Sequence, residues 1–151
     1  MKGRRTDLSR TPCATSRALE IVGDWWSLLI VRDALLGLQR FGEFQKSIGL
    51  AKNILSSRLK KLVDDGVLRV EADGESTSRH RYALTDRGQQ LAIVITALWQ
   101  WGEKHCFRPG ESAPLLLDKA TAQPLAPLEL KTVKGHVLDP RKVQMALKGI
   151  G

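Results

Sequence analysis

Basic side chains crowd the stretch from residue 40 to residue 61, which holds six Lys and Arg residues and a single acid, Glu43. The whole chain shares this bias, with 24 Lys and Arg against 16 Asp and Glu and a net charge of +8 over 151 residues. Such a local excess suits the phosphates of a polyanion such as nucleic acid. A solvated helix face is the alternative interpretation of the same charges.

Residues that could carry catalysis or hold a metal ion are scattered along the chain. Three histidines, His80, His105 and His136, are far apart, and so are the two cysteines, Cys13 and Cys106. The sequence has no phosphate-binding Gly-rich motif and no nucleophile elbow. Two distant cysteines fit neither a disulfide framework nor a zinc site. We therefore predict no enzyme activity, no cofactor and no metal site.

The chain lacks the apolar stretches that direct a protein to a membrane. No run of residues approaches the roughly 18 apolar positions of a membrane-spanning helix. The first ten residues have no apolar segment like that of a secretory signal. We expect a cytoplasmic protein without a membrane partner.

The basic stretch coincides with two predicted amphipathic helices. The first runs from Phe41 to Ile48 and ends at Gly49, and the second runs from Lys52 to Asp65. Apolar residues of the second helix fall on one face: Leu55, Leu59 and Leu62. Two helices joined by a short Gly-containing turn, with a basic outer face on the second, are typical of a helix-turn-helix.

A β-hairpin is predicted directly after the second helix. Gly66 ends that helix, Val67 to Ala72 and Arg79 to Leu84 alternate as strands, and the tip lies between them at Asp73 to Ser78. A helix-turn-helix followed by such a hairpin is a winged helix. The predicted fold class is therefore mainly α with a small β-wing.

Two further helices are predicted before the helix-turn-helix. Ser16 can cap a short helix that Gly23 ends, and either Asp24 or Ser27 begins a core helix that runs to about Leu36.

A long helix is predicted from the cap at Thr85 to about His105, and its apolar residues cover more than one stripe. This excess surface favours a homodimer, with an interface at Leu98, Trp99 and Trp101. We assign residues 1–107 to the winged-helix and dimerisation domain. Residues 108–151, which are punctuated by prolines, form a C-terminal extension.

Several segments together resemble the HxlR-type branch of winged-helix transcriptional regulators, which is similar in architecture to the MarR group. The matching residues are Cys13, the segment DWWSLLIVRDALLG at 24–37, RFGEF at 40–44, LSSRLKKL at 55–62 and YALTDRG at 82–88. They span residues 13 to 105 in the order and spacing of the family. The resemblance implies a homodimer that places each recognition helix in a major groove of double-stranded DNA.

The predicted DNA contacts follow from this arrangement. The second amphipathic helix, from Lys52 to Asp65, is the recognition helix. Side chains in its first turns can reach base edges or phosphates: Asn53, Ser56, Ser57 and Lys60. Predicted contacts to the DNA backbone are Lys52, Lys61, Arg40 and Lys46, with Arg79 and Arg81 on the wing. Arg58 can either join them or lie over neighbouring helices. Asp73 and Glu75 on the wing would oppose phosphate.

Two features of the resemblance leave alternatives open. Some relatives sense oxidants through a cysteine at the position of Cys13, which precedes a helix and has Arg10 and Arg17 nearby, whereas in others the thiol is inert. The extension resembles a zinc-ribbon-like hairpin, with Leu138 to Arg141 as the clearest match. Thr121, Lys131 and Lys134 stand where thiolates would be needed, so we expect a metal-free β-hairpin.

The sequence thus predicts a sequence-specific DNA-binding regulator that acts as a homodimer on a two-fold operator. We expect the protein to be a repressor that is released from DNA by an inducer. The inducer is either an unidentified small molecule or the oxidation of a thiol. The alternative is a winged-helix module that binds proteins and lacks specific DNA binding. Lys52, Lys60 and Lys61 argue against that alternative, because it predicts a neutral or acidic recognition helix.

Overall fold

The computed structural model describes residues 6–74 and 79–146. The chain divides into two compact units, Met1–Ile95 and Thr96–Gly151. Residues 75–78 of the predicted wing tip, including Glu75, lie outside the described residues. The domain boundary expected after residue 107 stays a prediction.

The first unit is a winged helix, as predicted. Its helices and strands are, in chain order, α1 (Ala14–Val22), α2 (Trp25–Leu35), α3 (Phe41–Ile48), α4 (Lys52–Asp64), β1 (Leu68–Ala72), β2 (His80–Leu84) and α5 (Asp86–Gln89). A further helix, α6 (Ala92–His105), begins in the first unit and ends in the second. The fold is therefore mainly helical with one two-stranded antiparallel sheet.

The core of the first unit lies where α2, α3, α4 and the sheet meet. Its largest fully buried side chains are apolar: Phe44, Ile30, Leu55, Leu59, Leu62, Leu68, Val31 and Val67. Phe44 of α3 meets Tyr82 of β2 edge to face, with ring centroids 6.4 Å apart. This contact joins the helix-turn-helix to the wing through the core.

Hydrogen bonds fix the base of the wing. The strands pair from Leu68 opposite Leu84 to Ala72 opposite His80. Tyr82 donates its backbone N–H to the carbonyl of Gln39 at 2.7 Å, so the segment before α3 lies along the free edge of β2. The hydroxyl of Thr85 donates to the carbonyl of Gly66 at 2.6 Å. The wing is thereby tied to both ends of the helix-turn-helix.

Two predicted helix boundaries are wrong. α1 begins at Ala14 with Cys13 as N-cap, not at a Ser16 cap, because the backbone bond from Arg17 N–H to the Cys13 carbonyl extends the helix. The long helix from Thr85 to His105 is interrupted after α5. Thr85 does cap α5, but Leu91 then bonds back only three residues, to Gly88, and this tighter turn separates α5 from α6.

A glutamine of α6 bonds the helix to the extension within the second unit. The Gln100 side chain donates to the carbonyl of Ala126 at 3.0 Å and accepts from the N–H of Leu128 at 2.8 Å. The extension contains two isolated β-bridges, Leu117 with Pro124 and Lys131 with Val137, instead of the single hairpin that was expected. A 3₁₀ turn at Pro140–Lys142 follows them.

The described residues contain neither a cluster of metal ligands nor a helix that could span a membrane. No group of three or more His, Cys, Asp or Glu side chains is placed to hold a metal ion within 6–74 and 79–146. In the same residues no helix has both the length and the apolar character needed to cross a membrane.

Gly88 allows α5 to approach the wing, and this contact generates a stability prediction. A Cβ at Gly88 would lie 2.2 Å from the carbonyl oxygen of Val67 and 2.9 Å from Cδ2 of Leu84. We expect Gly88→Ala to lower the free energy of unfolding by about 1–3 kcal/mol, measured by urea denaturation. The control is Gly42→Ala in α3, where a Cβ meets nothing within 4 Å. An equal loss in the two variants would contradict the close approach.

Candidate nucleic-acid interface

The turn between α3 and α4 sets the rotation of the second helix. Gly49 adopts a left-handed conformation with φ of 77°, which a side chain would disfavour. The Gln45 amide then donates to the carbonyl of Leu50 at 3.3 Å, and the Leu50 side chain is buried. Since one face of α4 is buried, the opposite face carries exposed polar residues: Lys52, Asn53, Ser56, Ser57 and Lys60.

The N-terminus of α4 is open to an anion. Its N-cap is Ala51, which has no side chain able to accept a hydrogen bond from the first turn. The partial positive charge of the helix N-terminus is therefore offered beside the exposed ammonium of Lys52. A phosphate oxygen fits this combination of backbone N–H groups and a cation.

Lys60, Lys61 and Arg58 of α4 each form an ion pair within the protein. Lys60 pairs with Asp64 at 2.6 Å, and both side chains are exposed. Lys61 instead points to α1, where its ammonium donates to the carbonyls of Glu20 at 3.0 Å and Ile21 at 3.2 Å. It also pairs with Asp65 at 2.5 Å. These contacts occupy its three donors, so Lys61 does not fit the phosphate contact expected from the sequence.

Arg58 holds α4 against the start of α2. Its Nε lies 3.4 Å from Oδ1 of Asp24, with both side chains about one third exposed. The same carboxylate caps α2 by accepting from the N–H of Ser27 at 2.9 Å and from its hydroxyl at 2.6 Å. Of the two roles left open for Arg58, the structure favours contact with a neighbouring helix.

A shallow groove lies where α3 meets the wing, and it is lined by Arg40, Phe41, Gly42, Asp73, Arg79 and His80. Arg40 and Asp73 form an ion pair across it at 2.6 Å. Arg79 is exposed beside them. The groove brings one predicted contact of the helix-turn-helix together with one of the wing.

Carboxylates organise the backbone and the side chains around this groove. Glu43 accepts from the N–H groups of Gln39 at 2.8 Å and Arg40 at 2.9 Å, and these bonds hold the pKa of its carboxyl below the ordinary value. On the wing, Glu71 pairs with Arg69 at 2.8 Å and with Arg81 at 3.0 Å. The Arg69 bond is the main reason that the pKa of Glu71 is also lowered.

The remaining cations that were predicted to contact DNA have no ion-pair partner among the described residues. Within residues 6–74 and 79–146, Lys46, Lys52 and Arg79 form no ion pair, and all three are exposed. They lie on α3, on α4 and next to the wing tip, just before β2, respectively. The interface therefore combines three uncommitted cations with an exposed polar helix face.

Comparison with known proteins identifies the family. Residues 21–109 match the HxlR-like helix-turn-helix family. The chain belongs to this family. The uncharacterised HTH-type transcriptional regulator Rv3095 of Mycobacterium tuberculosis is 40% identical over 104 residues, which are 69% of this chain. The match spans 65% of the length of that relative. The predicted HxlR resemblance is confirmed. The prediction of a regulator rather than an enzyme is also confirmed, because the family consists of transcriptional regulators.

Solved structures extend the likeness beyond the winged helix. The crystal structure of PA1607, described as a candidate transcription factor, has a TM-score of 0.87 and 43% identity, covering 95% of this chain and all of that one. The structure of PA1374 from Pseudomonas aeruginosa, described in the same way, has a TM-score of 0.63 and 32% identity over 92% of this chain and 94% of that one. The C-terminal extension of this HxlR-like chain is thus largely included in the match to PA1607.

Cys13 of this HxlR-like protein lies at the N-cap of α1 and is partly exposed. The hydroxyl of Ser16 and then its backbone N–H stabilise the thiolate, so the pKa of Cys13 is below its ordinary value. Cys106 is exposed and follows α6 in the other compact unit. A thiol with a lowered pKa has more of the nucleophilic thiolate at neutral pH.

Sequence reasoning missed the partners of the cations. Glu71 faces Arg81 across the paired strands, and the alternation of the hairpin could have indicated this. Arg69, which also reaches the carbonyl of Leu84 at 2.8 Å, lies on the same hairpin. No sequence signal connects Arg40 with Asp73 or Lys61 with α1, because only the tertiary fold brings these segments together.

Proposed function

We propose that this HxlR-like protein is a sequence-specific DNA-binding transcriptional regulator that acts as a homodimer on a two-fold operator in the cytoplasm. The observation that carries the proposal is the orientation of α4. Its buried leucine face turns Lys52, Asn53, Ser56 and Ser57 outward, beside a helix N-terminus without a side-chain cap. The name of the relative Rv3095, an HTH-type transcriptional regulator, supports this function.

The polar face of α4 is proposed to read bases in the major groove. Asn53 can pair with adenine through both its donor and its acceptor, and the Ser56 and Ser57 hydroxyls can donate or accept. Lys60 can reach a base or a phosphate once it leaves Asp64. Each subunit would present one such helix, with half-sites about 34 Å apart.

Phosphate contacts are proposed on both sides of α4. Lys52 and Lys46 lie on the two helices of the motif, and Arg79 lies next to the wing tip, all without an ion-pair partner among the described residues. Arg40 and Arg81 join them if their carboxylates exchange for phosphate. Such contacts position the protein and make its affinity depend on salt.

We place the proposed dimer interface on α6, because none of the residues of this helix is buried in the single chain. Ile93 is 63% exposed, Leu98 is 50% exposed and Trp101 is 62% exposed. Trp99 is half-buried beside them. A helix with several large apolar side chains in water is stabilised when a second copy covers them.

We further propose that the protein is a repressor that an inducer releases from DNA. The inducer is either a small molecule or an oxidant that reacts with Cys13. The partly exposed sulfur and the lowered pKa of Cys13 support the second route. An inert thiol at this position leaves the first route.

The DNA-binding proposal is tested by a salt series on DNA from the region upstream of the gene. We expect specific binding, and we expect Lys52→Ala to flatten the slope of log affinity against log salt by about 0.9, the value for one phosphate contact. Lys61→Ala is the matched control, because Lys61 is bonded to α1. It should keep the slope and lower thermal stability instead.

Other results of this series contradict the proposal. An unchanged slope for Lys52→Ala would remove Lys52 from the interface. Absence of specific binding by the wild type at every salt concentration would favour a protein-interaction module over a DNA-binding regulator.

The dimer proposal is tested by sedimentation equilibrium. Trp101→Glu and Leu98→Glu each place a charge on the proposed interface, so the mass should fall toward that of one chain. Val133→Glu is the matched control, since Val133 is a fully exposed apolar residue of the extension. A dimer that survives both α6 substitutions would place the interface elsewhere.

The thiol proposal is tested by the rate of iodoacetamide alkylation against pH and by DNA binding after diamide treatment. Cys13 in Cys106→Ser should alkylate with a midpoint below that of an ordinary thiol, and Ser16→Ala should raise this midpoint because the thiolate loses its main stabilising group. If Cys13 senses oxidants, diamide abolishes DNA binding and Cys13→Ser preserves it. Binding that is indifferent to diamide would assign induction to a small molecule.

A further inference from the structure

The ion pair between Arg40 and Asp73 occupies a predicted DNA contact of the free protein. The guanidinium Nη2 lies 2.6 Å from Oδ2 of Asp73. Arg40 is 62% exposed and Asp73 is 20% exposed at their side chains, so the arginine is the accessible member. A carboxylate offers an arginine the same planar acceptor geometry as two phosphate oxygens.

Both ends of this pair are anchored by backbone hydrogen bonds. The N–H of Arg40 donates to Glu43 at 2.9 Å, which fixes the start of α3. The N–H of Asp73 donates to the carbonyl of Arg79 at 3.0 Å, which fixes the last described residues before the wing tip. These backbone hydrogen bonds position both residues of the pair.

The charges around the pair differ from those of the surrounding interface. Arg79 and His80 line the same groove, and Asp73 is the only acid in its lining among the described residues. Ionised Asp73 offsets the charge of Arg40 at the point where the helix-turn-helix and the wing meet, and the carboxylate of Glu43 lies close enough to act on both side chains. Lys46 and Lys52, in contrast, have no carboxylate partner in the described part of the chain.

We infer that Asp73 is an internal phosphate mimic that lowers the affinity of the interface for DNA of any sequence by competing for Arg40. The inference rests on the proposed DNA-binding function and adds to it a residue that sets the affinity. A phosphate at this groove must displace the carboxylate, so Arg40 contributes little to loose electrostatic binding. Discrimination is then left to α4 and its contacts with bases.

The test measures the affinity of full-length Asp73→Asn for the upstream DNA and for a short duplex of random sequence across a salt series. We expect about two- to five-fold tighter binding to both DNAs, the range of an exposed ion pair, and a slope steeper by up to about 0.9. Asp139→Asn is the matched control, since it removes the same charge from an Arg–Asp pair of the extension. It should change neither quantity.

A double-mutant cycle with Arg40→Ala separates competition for Arg40 from general repulsion of DNA by Asp73. The gain caused by Asp73→Asn should disappear in the Arg40→Ala background. A gain that persists there, a gain equal to that of Asp139→Asn, or weaker binding by a folded Asp73→Asn variant would overturn the inference. Folding of each variant is checked by its unfolding midpoint.

The outcome also distinguishes the two proposals. In one outcome the wild type binds upstream DNA and Lys52→Ala flattens the salt slope, but Asp73→Asn has no effect. The DNA-binding proposal is then supported and the inference about Asp73 is wrong. If the wild type binds no DNA, both fail.

Discussion

Burial of one face of α4 is the constraint on which the rest of the interface depends. Leu55, Leu59 and Leu62 have no exposed surface, so the helix cannot rotate without exposing them to water. Their burial fixes the direction of every other side chain on the helix. Residues at the N-terminal end of the polar face are turned outward, whereas Arg58 and Lys61 are turned toward α2 and α1.

The same constraint separates cations that bond to other parts of the protein from cations that are exposed and could contact DNA. Lys61 stabilises the packing of α4 on α1 through two backbone carbonyls and a carboxylate, and Arg58 connects α4 to the cap of α2. Lys46 and Lys52 are exposed and form no ion pair within the described residues. The number of basic residues therefore overstates the positive charge that the proposed interface offers to DNA, because Arg40, Lys60, Lys61 and Arg81 already pair with carboxylates of the protein.

The long C-terminal helix illustrates a different balance. α6 has apolar side chains on more of its surface than one winged helix can cover, and Leu98 and Trp101 are exposed as a result. Its Gln100 holds the extension by satisfying one backbone donor and one acceptor of a segment that forms little regular structure. The exposed apolar area of this helix supports the proposed dimer, while Gln100 bonds the helix to the extension.

The sequence by itself determined the helix-turn-helix and the wing, because apolar periodicity, glycine stops at Gly49 and Gly66, and strand alternation are local signals. It predicted α3 from Phe41 to Ile48, and it predicted which face of α4 is buried. Only the tertiary structure decided the break between α5 and α6, the inward direction of Lys61 and the pairing of Arg40 with Asp73. The break is a local tightening of the backbone that no residue type signals. The two cation contacts depend on close approach between distant segments, and side-chain charge and spacing do not encode which partner a flexible cation will meet.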